Sequence, residues 1–98
     1  MMEIRKTEIF VEWLDNLRDS RARTRIIARL DRMEMGNFGD VRPAGGGVNE
    51  LRIHYGPGYR VYFVRRGPAV VVLLCGGDKR TQHADIAKAK KLADKLEN

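Results

Sequence analysis

The stretch 50–63, ELRIHYGPGYRVYF, limits what this chain can fold into more than any other. Leu51, Ile53, Val61 and Phe63 alternate with Glu50, Arg52, His54, Arg60 and Tyr62 around a Gly56-Pro57-Gly58 centre. A period of two marks strands with one apolar face. Directly opposed residues of a hairpin share a face, so the apolar set predicts 53 opposite 61 and 51 opposite 63. That register places 54 opposite 60 and 52 opposite 62, with a loop from Tyr55 to Tyr59. One face is then core. The other gathers Glu50, Arg52, His54, Arg60 and Tyr62.

The segments on either side read as helices and further strands. Met2 to Lys6 is predicted as a short first strand. Thr7 can cap a helix reaching about Leu17, with Phe10, Trp13, Leu14 and Leu17 at helical spacing. Asp19 or Ser20 can cap a second helix running to about Met35, with Ala22, Ile26, Leu30 and Met33 inward and Gly36 as its stop. So short a connection predicts an antiparallel helical hairpin. Arg21, Arg25, Arg29 and Arg32 make a neighbouring stripe, read as a solvated face or a docking surface for an acidic partner. Residues 37–47, with Pro43 and Gly45–Gly47, are expected as a flexible loop. No Gly-Lys-Ser/Thr follows the glycines, so they do not form a phosphate cradle.

After a turn at Arg66-Gly67-Pro68, Ala69 to Cys75 reads as a strand buried on both faces and ended by Gly76-Gly77. Thr81 can cap a last helix in which Ile86, Ala89, Leu92, Ala93 and Leu96 point inward. The expected fold is α+β, in the order β-α-α-β-β-β-α. An antiparallel sheet carries the two-helix hairpin on one face, all within a single domain over residues 1–98.

The composition narrows the class. The chain has 98 residues, 43% of them hydrophobic, which suffices for one core. Nineteen Lys and Arg against thirteen acids give a net charge of +6, which favours partners with phosphate or carboxylate surfaces. A lone cysteine, Cys75, excludes an internal disulfide and a cysteine-rich zinc site. The apolar run at 69–75 is too short to span a bilayer, and the start MMEIRKTEIF has no signal-peptide core. A cytoplasmic protein with no membrane contact is expected.

The order of elements, with ELRIHYGPGYRVYF and GGDKRTQ followed by a DIAKA helix, resembles the RelE/ParE toxin superfamily. The nearest group is the HigB-like, phage Gp49-like "addiction module killer" proteins. The likeness covers nearly the whole chain and is strongest from Glu50 to Ala89. It implies a RelE-like fold and a toxin of a bacterial toxin–antitoxin pair. Many such toxins cut mRNA in the ribosomal A site without a metal or other cofactor. The implied partners are the ribosome, its mRNA and a cognate antitoxin, often a helix-turn-helix DNA-binding protein. The ParE branch acts instead on DNA gyrase. Arg52, Arg60 and Arg80 occupy the motif positions that hold the mRNA phosphate in the RNA-cutting branch. Some of those members carry a tyrosine near the start of the last helix. Here the stretch reads His83-Ala84-Asp85-Ile86.

Metal-free RNA cleavage needs a base for the 2′-hydroxyl, an acid for the leaving 5′-oxygen and cations for the phosphorane. Arg60, Arg80 and His83 are the expected catalytic residues. Arginine binds phosphate with two prongs and stays charged, and His83 opens the last helix beside Arg80. Arg52, His54, Lys79 and Tyr62 are expected to bind RNA, Tyr62 by stacking on a base or else by covering the sheet. Glu50 is a general base or, preferably, the ion-pair partner of Arg52. A gyrase inhibitor acting by protein–protein contact needs no acid–base pair. A non-toxic antitoxin-binding co-repressor is a third possibility.

Overall fold

A computed structural model describes residues 1–96. Its elements are β1 (Glu3–Lys6), α1 (Glu8–Asp15), α2 (Ser20–Glu34), β2 (Val41–Gly45), β3 (Val48–Ile53), β4 (Tyr59–Arg66), β5 (Val70–Asp78), a 3-10 turn (Lys79–Thr81) and α3 (Gln82–Leu96). The fold is α+β, in the expected order with one strand added. The five strands lie in the order β1-β5-β4-β3-β2. β2 to β5 form an antiparallel meander, and β1 joins the free edge of β5 in parallel.

The helix starts follow local chemistry. The Thr7 hydroxyl accepts the Phe10 N–H at 3.0 Å and donates to the Leu74 carbonyl at 2.6 Å, so one side chain caps α1 and ties it to β5. Asp19 caps α2 by accepting from the Arg21 and Ala22 N–H groups. Ala22, Ile26, Leu30 and Met33 are all buried, as their spacing predicts. α1 stops at Asp15, short of Leu17. The cap before the last helix is Asp78 rather than Thr81. Thr81 closes a capping box with it inside the 3-10 turn.

Four expectations need correction. The hairpin register is displaced by two residues. Arg52 lies opposite Arg60, Glu50 opposite Tyr62 and Ile53 opposite Tyr59, so the loop runs from His54 to Gly58. Tyr59 is the cause. Its ring packs at an edge against Trp13, with centroids 6.3 Å apart, and it serves as a core strand residue rather than a loop residue. Face parity survives, because a shift of two leaves every side chain on its own side. Second, residues 41–45 form edge strand β2 instead of loop, and Pro43 falls where an edge strand tolerates it. Third, β5 continues through Gly76 and Gly77 to Asp78.

Fourth, and most consequential, the hairpin's polar face is not bare. Two cores flank the sheet. Phe10, Leu14, Ile26 and Met33 of α1 and α2 pack with Leu51, Ile53, Val61 and Phe63 on one side. Val48, Tyr62, Val64, Val72 and Leu74 pack with Ala89 and Ala93 of α3 on the other. A bulge keeps this alternation workable. Tyr62 pairs with Cys75 and Phe63 with Leu73, which leaves Leu74 as the extra residue on β5. Beyond it Gly76 faces α1, where a Cβ would lie 2.3 Å from the Trp13 ring. Gly77 faces α3, where a Cβ would meet the Asp85 carboxylate and the Thr81 hydroxyl. Glycine at both positions lets the two helices approach the strand end.

Candidate functional site

Register places two polar rows across the α3 side of the sheet. Val41 opposite Leu51 carries the β2–β3 pairing on to Asp40 beside Arg52. Arg52 lies opposite Arg60, and Arg60 opposite Gly77. The next row is Arg42, Glu50, Tyr62 and Cys75. The start of α3 covers the middle of both rows, so their centre is buried and their β2 end is open.

In the covered part, Arg60 is 5% exposed and Glu50 6%. Arg60 Nε lies 2.7 Å from Glu50 Oε1, but its N–H is not aimed along that line, so the contact is a charge pair without a formed hydrogen bond. Gln82 Nε2 donates to the same Glu50 oxygen at 2.7 Å. Arg60 Nη1 donates to the Gly58 and Tyr59 carbonyls, both at 3.2 Å. Tyr62 is fully buried and its hydroxyl has no partner. Burial, with Glu50 and Asp85 nearby, pushes its ionisation far above the ordinary tyrosine value. Glu50 therefore pairs with Arg60, not with Arg52 as expected. Tyr62 covers the sheet and cannot stack on a base. Arg60 cannot touch a polyanion while α3 is in place.

The open end is built differently. Asp40 Oδ2 lies 2.5 Å from His54 Nε2 and 3.7 Å from Arg52 Nε. The hydrogen bond with His54 holds the Asp40 carboxyl below the usual carboxylate range, and the charges of Arg52 and Arg42 act the same way. The backbone fixes this cluster. The Arg52 N–H donates to the Asp40 carbonyl at 3.0 Å. Arg29 of α2 reaches over, Nη1 to the Arg52 carbonyl at 2.7 Å and Nη2 to the Phe38 carbonyl at 3.2 Å. Arg25 stacks over the Tyr55 ring at 4.6 Å. Of the four stripe arginines, Arg29 thus braces the sheet and Arg25 covers the hairpin loop, instead of facing only solvent.

A second exposed corner follows β5. Arg80 Nη2 and Nε meet the two Asp78 oxygens at 2.9 and 3.3 Å, and Asp78 Oδ1 also accepts the Arg80 backbone N–H at 2.8 Å. That two-pronged contact raises the Arg80 pKa and lowers that of Asp78. Lys79 and His83 are exposed. A Cβ at Gly58 would lie 3.5 Å from both Arg60 Nη1 and Lys79 Cβ, so the hairpin tip touches the 3-10 turn.

The structure thus brings Arg52, Arg60 and Lys79 to one end of the sheet, with Arg80 adjoining. Each of the three arginines is paired to its own carboxylate: Asp40, Glu50 or Asp78. Sequence reasoning missed Asp40, Asp78 and Gln82. The Asp-Lys-Arg corner held a signal for Asp78, as an acid before a helical turn. Asp40 had none, because it sat in a segment read as loop. Cys75 is buried, and burial pushes its thiol up to about 11, so it stays protonated and inert at neutral pH.

Among the described residues no group of three or more His, Cys, Asp or Glu is placed to hold a metal. None of their helices is long and apolar enough to cross a membrane. A cavity of about 500 Å³ lies elsewhere, lined by Arg5, Lys6, Thr7, Arg66, Val72 and Leu96.

An uncharacterized protein of Haemophilus influenzae (strain ATCC 51907 / DSM 11121 / KW20 / Rd) is 47% identical over 95 residues, spanning 97% of this chain and 96% of that one. The family model described as phage-derived protein Gp49-like matches residues 12–97, which takes in α2, the whole β2–β5 meander and the charged corner before α3. On that match the chain belongs to the phage-derived Gp49-like protein family.

Proposed function

We propose that this protein is a toxin of the RelE/ParE type, HigB-like in kind, that cuts mRNA on the ribosome and is neutralised by a cognate antitoxin. The observation that carries this reading is the placing of water-accessible cations from β3 and the 3-10 turn on either side of the hairpin tip. The substrate-facing set is Arg52, His54, Lys79, Arg80 and His83, all at least partly exposed. Arg60 moves from a catalytic role to a positioning one. From beneath α3 it holds the Gly58 and Tyr59 carbonyls and so shapes the loop that Lys79 touches.

In this reading the 2′-hydroxyl oxygen attacks the adjacent phosphorus and the P–O5′ bond breaks, with no metal required. Negative charge grows on the non-bridging oxygens. Arg80 and Lys79 stabilise it, and Arg52 orients the neighbouring phosphate. Asp78 keeps Arg80 extended until a phosphate takes its place. The ribosome supplies the mRNA in a fixed pose, which suits a protein whose own site is a shallow surface.

One observation favours a different reading. All three arginines already have a carboxylate, as on a surface that docks a protein by matched charges rather than one that grips RNA. Gyrase inhibition, or antitoxin binding for co-repression alone, needs no more than that. Mapping transcript 5′ ends after brief induction separates the readings. Ribosome-dependent cleavage yields new ends in reading-frame register. Intact transcripts with DNA damage indicate gyrase, and unimpaired growth indicates a co-repressor.

A further inference from the structure

We infer that the groove between α3 and edge strand β2 is a second, non-catalytic RNA site, in which Arg42 and Lys90 hold phosphates that flank the bond being cut. The choice of RNA as ligand follows the cleavage reading above. α3 packs chiefly over β3, β4 and β5, so the same side of β2 stays open. Arg42 lies opposite Glu50, and opposed residues share a face, so Arg42 stands on the α3 side of that open strand. It is exposed, and its charge helps to hold the Asp40 carboxyl down from a distance.

Lys90 comes from the other wall. A Cβ at Gly45 would lie 3.2 Å from Lys90 Nζ, and one at Gly46 3.7 Å from Lys90 Cγ. The lysine stem thus runs along the bare backbone of the β2–β3 turn, and its ammonium is carried to the end of β2. Helical spacing sets exposed His83 on the same flank of α3, two turns and about 10.5 Å before Lys90. The opposite flank turns to β5, where Asp85 meets Gly77. The groove therefore runs from Arg52 at the hairpin tip, past Arg42, to Lys90. Five strand residues from Asp40 to Gly45 make this about 15 Å, the span of a few extended nucleotides.

Its charge is one-sided. Asp40 closes one end, and Asp94 lies one turn beyond Lys90 at the other. Glu50, the acid beneath, is buried and engaged by Arg60 and Gln82. Arg52, Arg60 and Arg80 each meet a carboxylate, whereas among the described residues Arg42 and Lys90 meet none. A phosphate arriving there displaces only water. Ala44 and Ile86, half-buried on the same side, offer no side-chain donor to a base. The groove thus holds backbone without reading sequence, and it adds affinity rather than chemistry.

The test is binding of the full chain to a short fluorescent single-stranded RNA, 2′-O-methylated throughout so that it cannot be cut, followed by anisotropy across a salt series. Arg42→Ala with Lys90→Ala should weaken binding about tenfold at low salt and flatten the slope of log affinity against log salt by about 1.4, the share of two single-strand phosphates. Lys91→Ala with Lys95→Ala removes the same charge from the outer face of α3 and should change affinity less than twofold. All four side chains are exposed, so neither pair threatens the fold. With mRNA on programmed ribosomes, the Arg42 and Lys90 changes should raise KM far more than they lower kcat, as loss of a binding contact does. Equal losses from the two double variants, or an unchanged salt slope, overturn the groove. A glutamate peptide of equal charge that competes as well as RNA overturns it too, in favour of a protein-docking surface. If the methylated RNA binds as expected while mRNA on ribosomes stays intact, the cleavage reading fails and the RNA groove stands.

Discussion

The polar layer beneath α3 and the charged rim beside it use the same residue types for opposite ends. Glu50 and Arg60 are closed off from water, and Gln82 and two backbone carbonyls serve their remaining valences. Asp40, His54, Asp78 and Arg80 meet in pairs of similar length that water reaches. A buried charge that loses its partner stays buried and uncompensated, so the covered layer governs whether the chain folds. An exposed charge that loses its partner is rehydrated, so the rim can exchange a carboxylate for a phosphate at little cost to the fold. The contrast separates residues that hold the fold together from residues left free to meet a ligand.

The largest expected effect tests the covered side. Arg60→Ala strands Glu50 and should lower unfolding stability by about 3–5 kcal/mol in urea titration. A loss similar to that of an exposed arginine would erase the contrast. Tyr62→Phe removes a buried hydroxyl that has no partner and should raise stability by about 1 kcal/mol. A clear loss on the same titration would mean that the hydroxyl is satisfied after all.

On the rim the expected signature reverses. Arg80→Ala should leave the urea midpoint unchanged while lowering mRNA cleavage on ribosomes by about 100-fold. A shifted midpoint with unchanged cleavage would move Arg80 to the structural group.

The smallest effect is on acid sensitivity. The Asp40 pKa is depressed in the fold, so between that value and the unfolded value near 3.9 the unfolded chain binds more protons. Its stabilisation is therefore complete above about pH 4 and is lost as pH falls through the folded value. Asp40→Asn should make the acid limb of the stability curve shallower there. An unaltered limb would show that the His54 contact does not persist in solution.

Much of the scaffold was legible, because its signals are local. Thr7 and Asp19 cap where they stand, and the α2 stripe is buried at its predicted positions. Hairpin parity is a property of alternation alone, so it survived an error in register. The register itself turned on Tyr59, an amphipathic residue whose place is decided by Trp13 from another element. The covering of the polar face has a signal in the sequence. A strand apolar on both sides, as 69–75 is, requires a second layer, and α3 was the remaining segment able to supply it. The site was less legible still. Which acid meets which arginine depends on long-range placement, as with Asp40 brought to Arg52 by an edge strand that its proline and glycines disguise.

The unpaired Leu74 has a consequence for how this chain can change over generations. Everything from Cys75 to the 3-10 turn owes its side of the sheet to that single added position. A lineage that lost one codon there would keep its composition and helices but rotate the Asp78-Lys79-Arg80 corner toward α1, away from the hairpin tip. Length at this point is thus under tighter constraint than side-chain identity, and insertions or deletions should be tolerated in the 37–40 bend long before they are tolerated within β5.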